Sequence, residues 1–193
     1  MKSKISVLIW FFILITAGIT MANEKILDDF SDADEISSIG TRWQGFTDQV
    51  MGGRSRIQTQ FLQENEKIFL RMQGEVSLEN NGGFIQIRLP LGKNNDDFNA
   101  SDYKGISIRY RTPQKGGYYL HLRTSQTRLP WAHFAAEIPS SSQWKEIRVP
   151  WSAFKKQLTL LRAPKLRDLK SIAVVAAKQE FFATIDVANI ALY

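Results

Sequence analysis

After the first 22 residues, most apolar side chains fall at every second position in short runs bounded by Gly, Pro, Asn and Ser. That spacing is the signature of strands with one buried face. In Gly105–Arg111, Ile106, Ile108 and Tyr110 share one face while Ser107, Arg109 and Arg111 share the other. Residues 118–123 repeat the pattern with Tyr118, Leu120 and Leu122 inward, and the intervening 112–117 reads as a hairpin loop. Further strands are predicted at 26–30, near 56–62, and at 67–72, 83–89, 132–138, 144–149, 171–177 and 183–192, about ten in all. Short strands at this spacing predict an all-β sandwich or barrel. Residues 32–39 and 152–161 are each compatible with a helical turn or two, and neither sustains an apolar stripe.

The N-terminus breaks the pattern. Lys2 and Lys4 precede an uncharged run from Ile5 to Ile19, and Thr20, Met21 and Ala22 follow it before Asn23. This order of basic, apolar and small residues predicts a secretory signal peptide over 1–22. The run is shorter than the roughly 20 residues that span a bilayer, which favours cleavage over retention as an anchor. The remaining 23–193 form one domain, large enough to bury a sufficient core. The chain has no cysteine, so that core works without disulfides in an oxidising compartment. The formal charge of +6 includes Lys2 and Lys4, and the rest of the chain carries +4. Export removes a mildly basic chain from cytoplasmic nucleic acid, so no nucleic-acid partner is expected.

Catalytic signatures are absent: there is no HExxH, GxSxG, P-loop, strand–GxGxxG–helix unit or cysteine nucleophile. His121 and His133 are the only histidines, and His121 alternates with inward residues, so it points outward toward solvent. A two-histidine metal site needs a third ligand that the sequence does not nominate. The expectation is a binding protein with no catalytic residues, no metal and no cofactor.

Two glycine-bearing segments carry more information. One is Trp43-Gln44-Gly45-Phe46-Thr47-Asp48-Gln49-Val50-Met51-Gly52-Gly53-Arg54-Ser55, and the other is Asn80-Asn81-Gly82-Gly83-Phe84-Ile85-Gln86-Ile87-Arg88. Paired glycines permit positive φ and close backbone approach, so each reads first as a tight turn that aims a strand. Together they resemble the complex I intermediate-associated protein family, the thirty-kilodalton class named for a mitochondrial assembly factor. The pattern matches at Trp43, Asp48, Val50, Met51, Gly52, Gly53, Ser55, Asn81, Gly82, Gly83, Phe84 and Arg88. Weaker similarity continues through Tyr103, Gly105, Tyr119, Arg123, Thr124, Trp144, Val149, Pro150 and Trp151 to the terminal Ile190 and Tyr193. The resemblance implies a galactose-binding-like jelly-roll β-sandwich and a non-enzymatic role in assembling the membrane arm of complex I. The leader here is secretory, whereas mitochondrial members carry matrix-targeting segments.

Asp48, Asn81, Arg88 and Arg123 are expected to form one polar site or buried network near the glycine turns, with an arginine–Asp48 pair locking the turns or presenting donors to a ligand. Arg128 and Trp131 lie on a loop-like stretch whose composition suits a contact hot spot. The other tryptophans of the domain, Trp43, Trp144 and Trp151, are assigned to the core or to strand ends. Residues 155–170 hold Lys155, Lys156, Arg162, Lys165, Arg167 and Lys170 against the single acid Asp168, a solvated face that also suits peripheral contact with anionic headgroups. Two partner classes stay open. One is a protein at a membrane or in the envelope, which makes the chain an interaction or assembly factor. The other is carbohydrate, which makes it an envelope-glycan module in the periplasm or outside the cell.

Overall fold

The computed structural model describes residues 24–129, 131–160 and 162–193, so the predicted signal segment lies outside the described residues. Twelve strands form: β1 (Lys25–Asp28), β2 (Gln44–Thr47), β3 (Arg56–Glu64), β4 (Lys67–Val76), β5 (Phe84–Pro90), β6 (Gly105–Arg111), β7 (Tyr118–Thr124), β8 (His133–Ile138), β9 (Lys145–Pro150), β10 (Lys155–Gln157), β11 (Leu169–Ala177) and β12 (Phe181–Leu192). They assemble as two antiparallel six-stranded sheets, which together make a jelly-roll sandwich. The first runs β3-β4-β12-β6-β9 with β1 also on β12, and the second runs β10-β8-β7-β11-β5-β2. Among the described residues no helix is long and apolar enough to cross a membrane.

The alternation seen in the sequence decides which face each residue takes. Leu70, Met72, Ile106, Ile108, Tyr110, Ile185 and Val187 of the first sheet pack against Ile85, Ile87, Leu89, Tyr118, Leu120, Leu122, Phe134, Ile172 and Val174 of the second, all buried in one cluster. Sandwiched sheets lie about 10 Å apart, so these inner faces interdigitate directly. Buried polar groups find partners inside that core. The Trp43 indole N–H donates to Asp28 Oδ2 at 2.6 Å. The Tyr110 hydroxyl donates to the Pro139 carbonyl at 2.5 Å, and burial pushes its pKa up to about 12.

Three expectations give way. Residues 112–117 do not close a hairpin, because β6 pairs with β12 and β9 while β7 pairs with β11 and β8, so the loop crosses between sheets. A crossover and a hairpin use the same Pro and Gly punctuation, and the local sequence cannot tell them apart. Residues 32–39 form bends closed by an Ile36–Arg42 bridge instead of a helical turn. In 152–161 a short 3-10 turn at Trp151–Ala153 gives way to β10, an edge strand paired with β8.

Candidate functional site

The outward face of the second sheet is hollowed into a groove of about 510 Å³ that crosses its strands. The hollow follows from side-chain size. Central β11 directs Ser171, Ala173 and Ala177 to this face, while the flanking β5 and β7 direct Gln86, Arg88, His121 and Arg123 there. Strand register places Ala173 opposite both Arg88 and His121, and Ser171 opposite Arg123. Long side chains on either side of small ones make a trough. Tyr119, Ala173, Val175 and Ala177 form a second apolar cluster on this face, separate from the main core.

One end of the groove is built by the two glycine turns, which meet as the sequence suggested. Asp48, fully buried, holds them together. Its Oδ1 accepts from the Ser55 amide at 3.0 Å, and its Oδ2 accepts from the Ser55 hydroxyl at 2.5 Å, the Gly83 amide at 2.6 Å and the Phe84 amide at 3.2 Å. Burial alone raises the pKa of this carboxyl, but the donors from Ser55, Gly83 and Phe84 outweigh it and hold the group below its ordinary value. The glycines are required for different reasons. Gly52 sits at φ 89° with open space around its Cα, whereas a Cβ on Gly53 meets Asp48 Cγ at 2.3 Å and one on Gly82 meets Asp48 Oδ2 at 2.5 Å. Asn80 adds a bond from Nδ2 to the Gly52 carbonyl at 3.3 Å.

This corrects the expected arginine–Asp48 pair. Asp48 is satisfied by backbone amides and a hydroxyl, while Arg88 lies in the groove on the outward face of the sheet. There its guanidinium lies 4.3 Å from the Phe46 ring centroid and donates to Gln44 Oε1 at 2.8 Å. Arg88 Nε is buried with no hydrogen-bond partner. Burial, then the neighbouring charge of Arg123, lowers the Arg88 pKa, while the group stays a cation. The side chain of Asn81 lies outside the described residues.

The opposite end is organised by Arg123 and His133. Arg123 donates to the carbonyls of Thr127 at 2.7 Å and Leu129 at 2.9 Å. His133 Nδ1 lies 2.8 Å from the Trp131 carbonyl, which can only accept, so Nδ1 carries the proton and Nε2 is left as an acceptor. These bonds hold the loop that brings half-exposed Trp131 to the groove wall. Arg128 on the same loop is exposed and does not line the groove.

The histidines are what the sequence reading missed. His121 does point out of the sandwich, but into the groove floor and not into solvent. Its ring stacks on His133 with centroids 4.0 Å apart, and its Nε2 is buried without a hydrogen-bond partner. Burial, then His133 and Lys178, push the His121 pKa well below 6.5, so it is neutral at physiological pH. His133 is also lowered, by burial first. The legible signal was that both histidines alternate with core residues on strands that prove adjacent. No third His, Cys, Asp or Glu joins them in a metal-holding group among the described residues. Phe46, Phe84 and Lys178 complete the walls, with exposed Val50, Met51 and Leu158 at the rim.

Known proteins share this architecture. The family 11 carbohydrate-binding module of the cellulosomal cellulase Lic26A-Cel5E of Clostridium thermocellum superposes with TM-score 0.69 at 19% identity, covering 89% of this chain and 94% of that one. The family 11 module from Clostridium thermocellum in complex with a β-1,3-1,4-mixed-linked tetrasaccharide gives TM-score 0.67 at 18% identity, covering 88% and 94%. A family 30 carbohydrate-binding module of the cellulase Cel9D-Cel44B of the same organism gives 0.60 at 10% identity, covering 89% and 97%. By sequence, Endoglucanase 3 of Fibrobacter succinogenes is 26% identical over 134 residues, 63% of this chain, and the match spans only 19% of that enzyme. Residues 29–179 match the family described as Complex I intermediate-associated protein 30 (CIA30), and the chain belongs to that family.

Proposed function

We propose that this chain is a non-catalytic binding module whose groove holds an extended oligosaccharide. The observation that carries the reading is the trough itself. It is floored by the small residues of β11, walled by the rings of Phe46, Phe84 and Trp131, and made positive by Arg88, Arg123 and Lys178. Mostly apolar walls with a few fixed polar groups suit a ligand with ring faces and equatorial hydroxyls. The likeness of the fold to carbohydrate-binding modules supports this order of preference over the assembly role implied by the family description. An exported protein meeting envelope or extracellular glycan is the setting proposed. The experiment is affinity electrophoresis of residues 23–193 through gels containing soluble polysaccharides, uronate polymers and β-glucans among them. Trp131→Ala should lose retardation, and Trp144→Ala, on the opposite sheet, should keep it. Equal mobility of the native chain in every gel contradicts the reading, as does loss of retardation in Trp144→Ala.

A protein partner is the second reading, favoured by the exposure of Val50 at 70% and Leu158 at 74% on the groove rim. Clustered apolar rim residues are a feature of protein contact sites. If it holds, co-purification from envelope extracts should recover a partner that Val50→Asp fails to bind, with no glycan binding by either form.

A further inference from the structure

Resting on the glycan reading of the groove, we propose that its ligand is an acidic glycan, a uronate-bearing chain whose carboxylates are met by Arg88, with Arg123 and Lys178 adding positive charge. The charge of the lining is the primary observation. Among the described residues the groove wall contributes the cations Arg88, Arg123 and Lys178 and no Asp or Glu. Lys178 is held in the left-handed region at φ 70°, its Nζ 4.5 Å from the Tyr119 ring centroid, so it is directed over the same face. The other outward sheet face behaves differently: there Arg71 and Arg111 both donate to a carboxylate of the chain's own, Asp186.

The second observation is Arg88. Its Nη2 is committed to Gln44, and its buried Nε has no hydrogen-bond partner. A guanidinium that is partly desolvated, and close enough to a second one to feel its charge, is costly unless an anion arrives. A carboxylate entering the groove offsets that charge and can accept from the guanidinium where it faces the ligand. A neutral glucan would fill the trough and leave this cost in place. The two neutral histidines fit the same ligand, because His133 Nε2 offers an acceptor to a sugar hydroxyl without adding charge.

The test measures binding of residues 23–193 to polygalacturonate, the same polymer after carboxyl reduction, mixed-linked β-1,3-1,4-glucan and a sulfated galactan. Polygalacturonate should bind, and the carboxyl-reduced polymer and the glucan should bind about tenfold more weakly or worse. Affinity should fall as salt screens the cations. Arg88→Gln should lose about tenfold for polygalacturonate, and Arg88→Lys should keep part of it through its charge. If Arg88→Gln proves poorly folded by its melting temperature, exposed Lys178→Gln takes its place with a smaller loss expected. Equal binding of neutral and acidic polymers overturns the acidic ligand and leaves the glycan reading standing. Tighter binding of the sulfated polymer than of polygalacturonate overturns the carboxylate. Binding of none of the four overturns the glycan reading and the acidic ligand together.

Discussion

The outer faces of the two sheets start from similar ingredients and end with different chemistry. On the first sheet, fully buried Asp186 accepts from Arg71 Nε at 2.6 Å and Nη2 at 2.8 Å and from Arg111 Nε at 2.7 Å. Arg111 also reaches Glu64 at 2.7 Å and lies 4.5 Å from the Trp144 ring, which packs edge-on against Phe69. On the second sheet Arg88 likewise covers an aromatic ring, but it donates to an amide, and among the described residues the surrounding wall contains no carboxylate. Arginines neutralised by the fold's own acids stabilise it. An arginine set in a groove lined by no acid among the described residues, as Arg88 is, keeps a charge that a ligand can use.

The comparison is broken most decisively at Asp186. Asp186→Ala should cost about 3 kcal/mol by leaving two part-buried guanidinium groups without their carboxylate, while leaving glycan retardation per folded molecule unchanged. Chemical denaturation with parallel affinity gels measures both. A stability change within about 0.5 kcal/mol, the range of an ordinary surface substitution, would remove the structural half of the contrast.

The next effect sharpens the account of the groove end. Gly53→Ala should destabilise more than Gly52→Ala, because a Cβ on Gly53 strikes Asp48 while one on Gly52 meets only backbone strain of about 1–2 kcal/mol. Thermal melts of the two variants decide it, and the reverse order would mean that the Asp48 hub tolerates displacement.

Acid should act on the two ends of the groove at different pH. His121 and His133 have folded pKa values below the unfolded 6.5, so the unfolded chain binds more protons as pH falls. Their burial therefore carries no protonation penalty above pH 6.5, and stability declines as pH drops below that value. The slope is at most about 1.4 kcal/mol per pH unit for each histidine. Asp48 has the opposite charge type and a lowered folded pKa, so its contribution is present above 3.8 and is lost only in stronger acid. Denaturant midpoints between pH 7 and 5 should fall for the native chain and fall less for His121→Asn. Parallel curves for the two would contradict the buried neutral state of His121.

Much of this was legible before the fold was seen. Alternation in β6 and β7 placed Ile106, Ile108, Tyr110, Leu120 and Leu122 inward, and the glycine motifs placed Asp48 beside the turns it holds. What stayed hidden has a physical cause. In β11 the outward residues Ala173, Val175 and Ala177 are as apolar as the inward Ile172, Val174 and Ala176, so alternation vanishes where the groove floor lies. A trough floored by small apolar residues has the sequence of a fully buried strand. β10, with the sequence KKQ, carries no apolar residue from which a period could be read. His121 looked solvated because its strand position showed only that it faced outward, and the depth of the outward face depends on partner strands distant in sequence.

The smallest expected stability effect comes from the groove arginine. The structure leaves Arg88 without the Asp48 pair that would have made its loss severe, so Arg88→Gln should change stability by less than about 1 kcal/mol in a urea melt. A loss of several kcal/mol would return it to a structural role.

The central claim, that the outward face of the second sheet is the recognition surface, is tested most directly by amide chemical shifts during titration with soluble polygalacturonate fragments. The account predicts saturable shifts confined to β2, β5, β7, β8, β10 and β11, the two glycine turns and the loop around Trp131, with β4, β6 and β12 unmoved. Shifts centred on Arg71, Arg111 and Trp144 would contradict it.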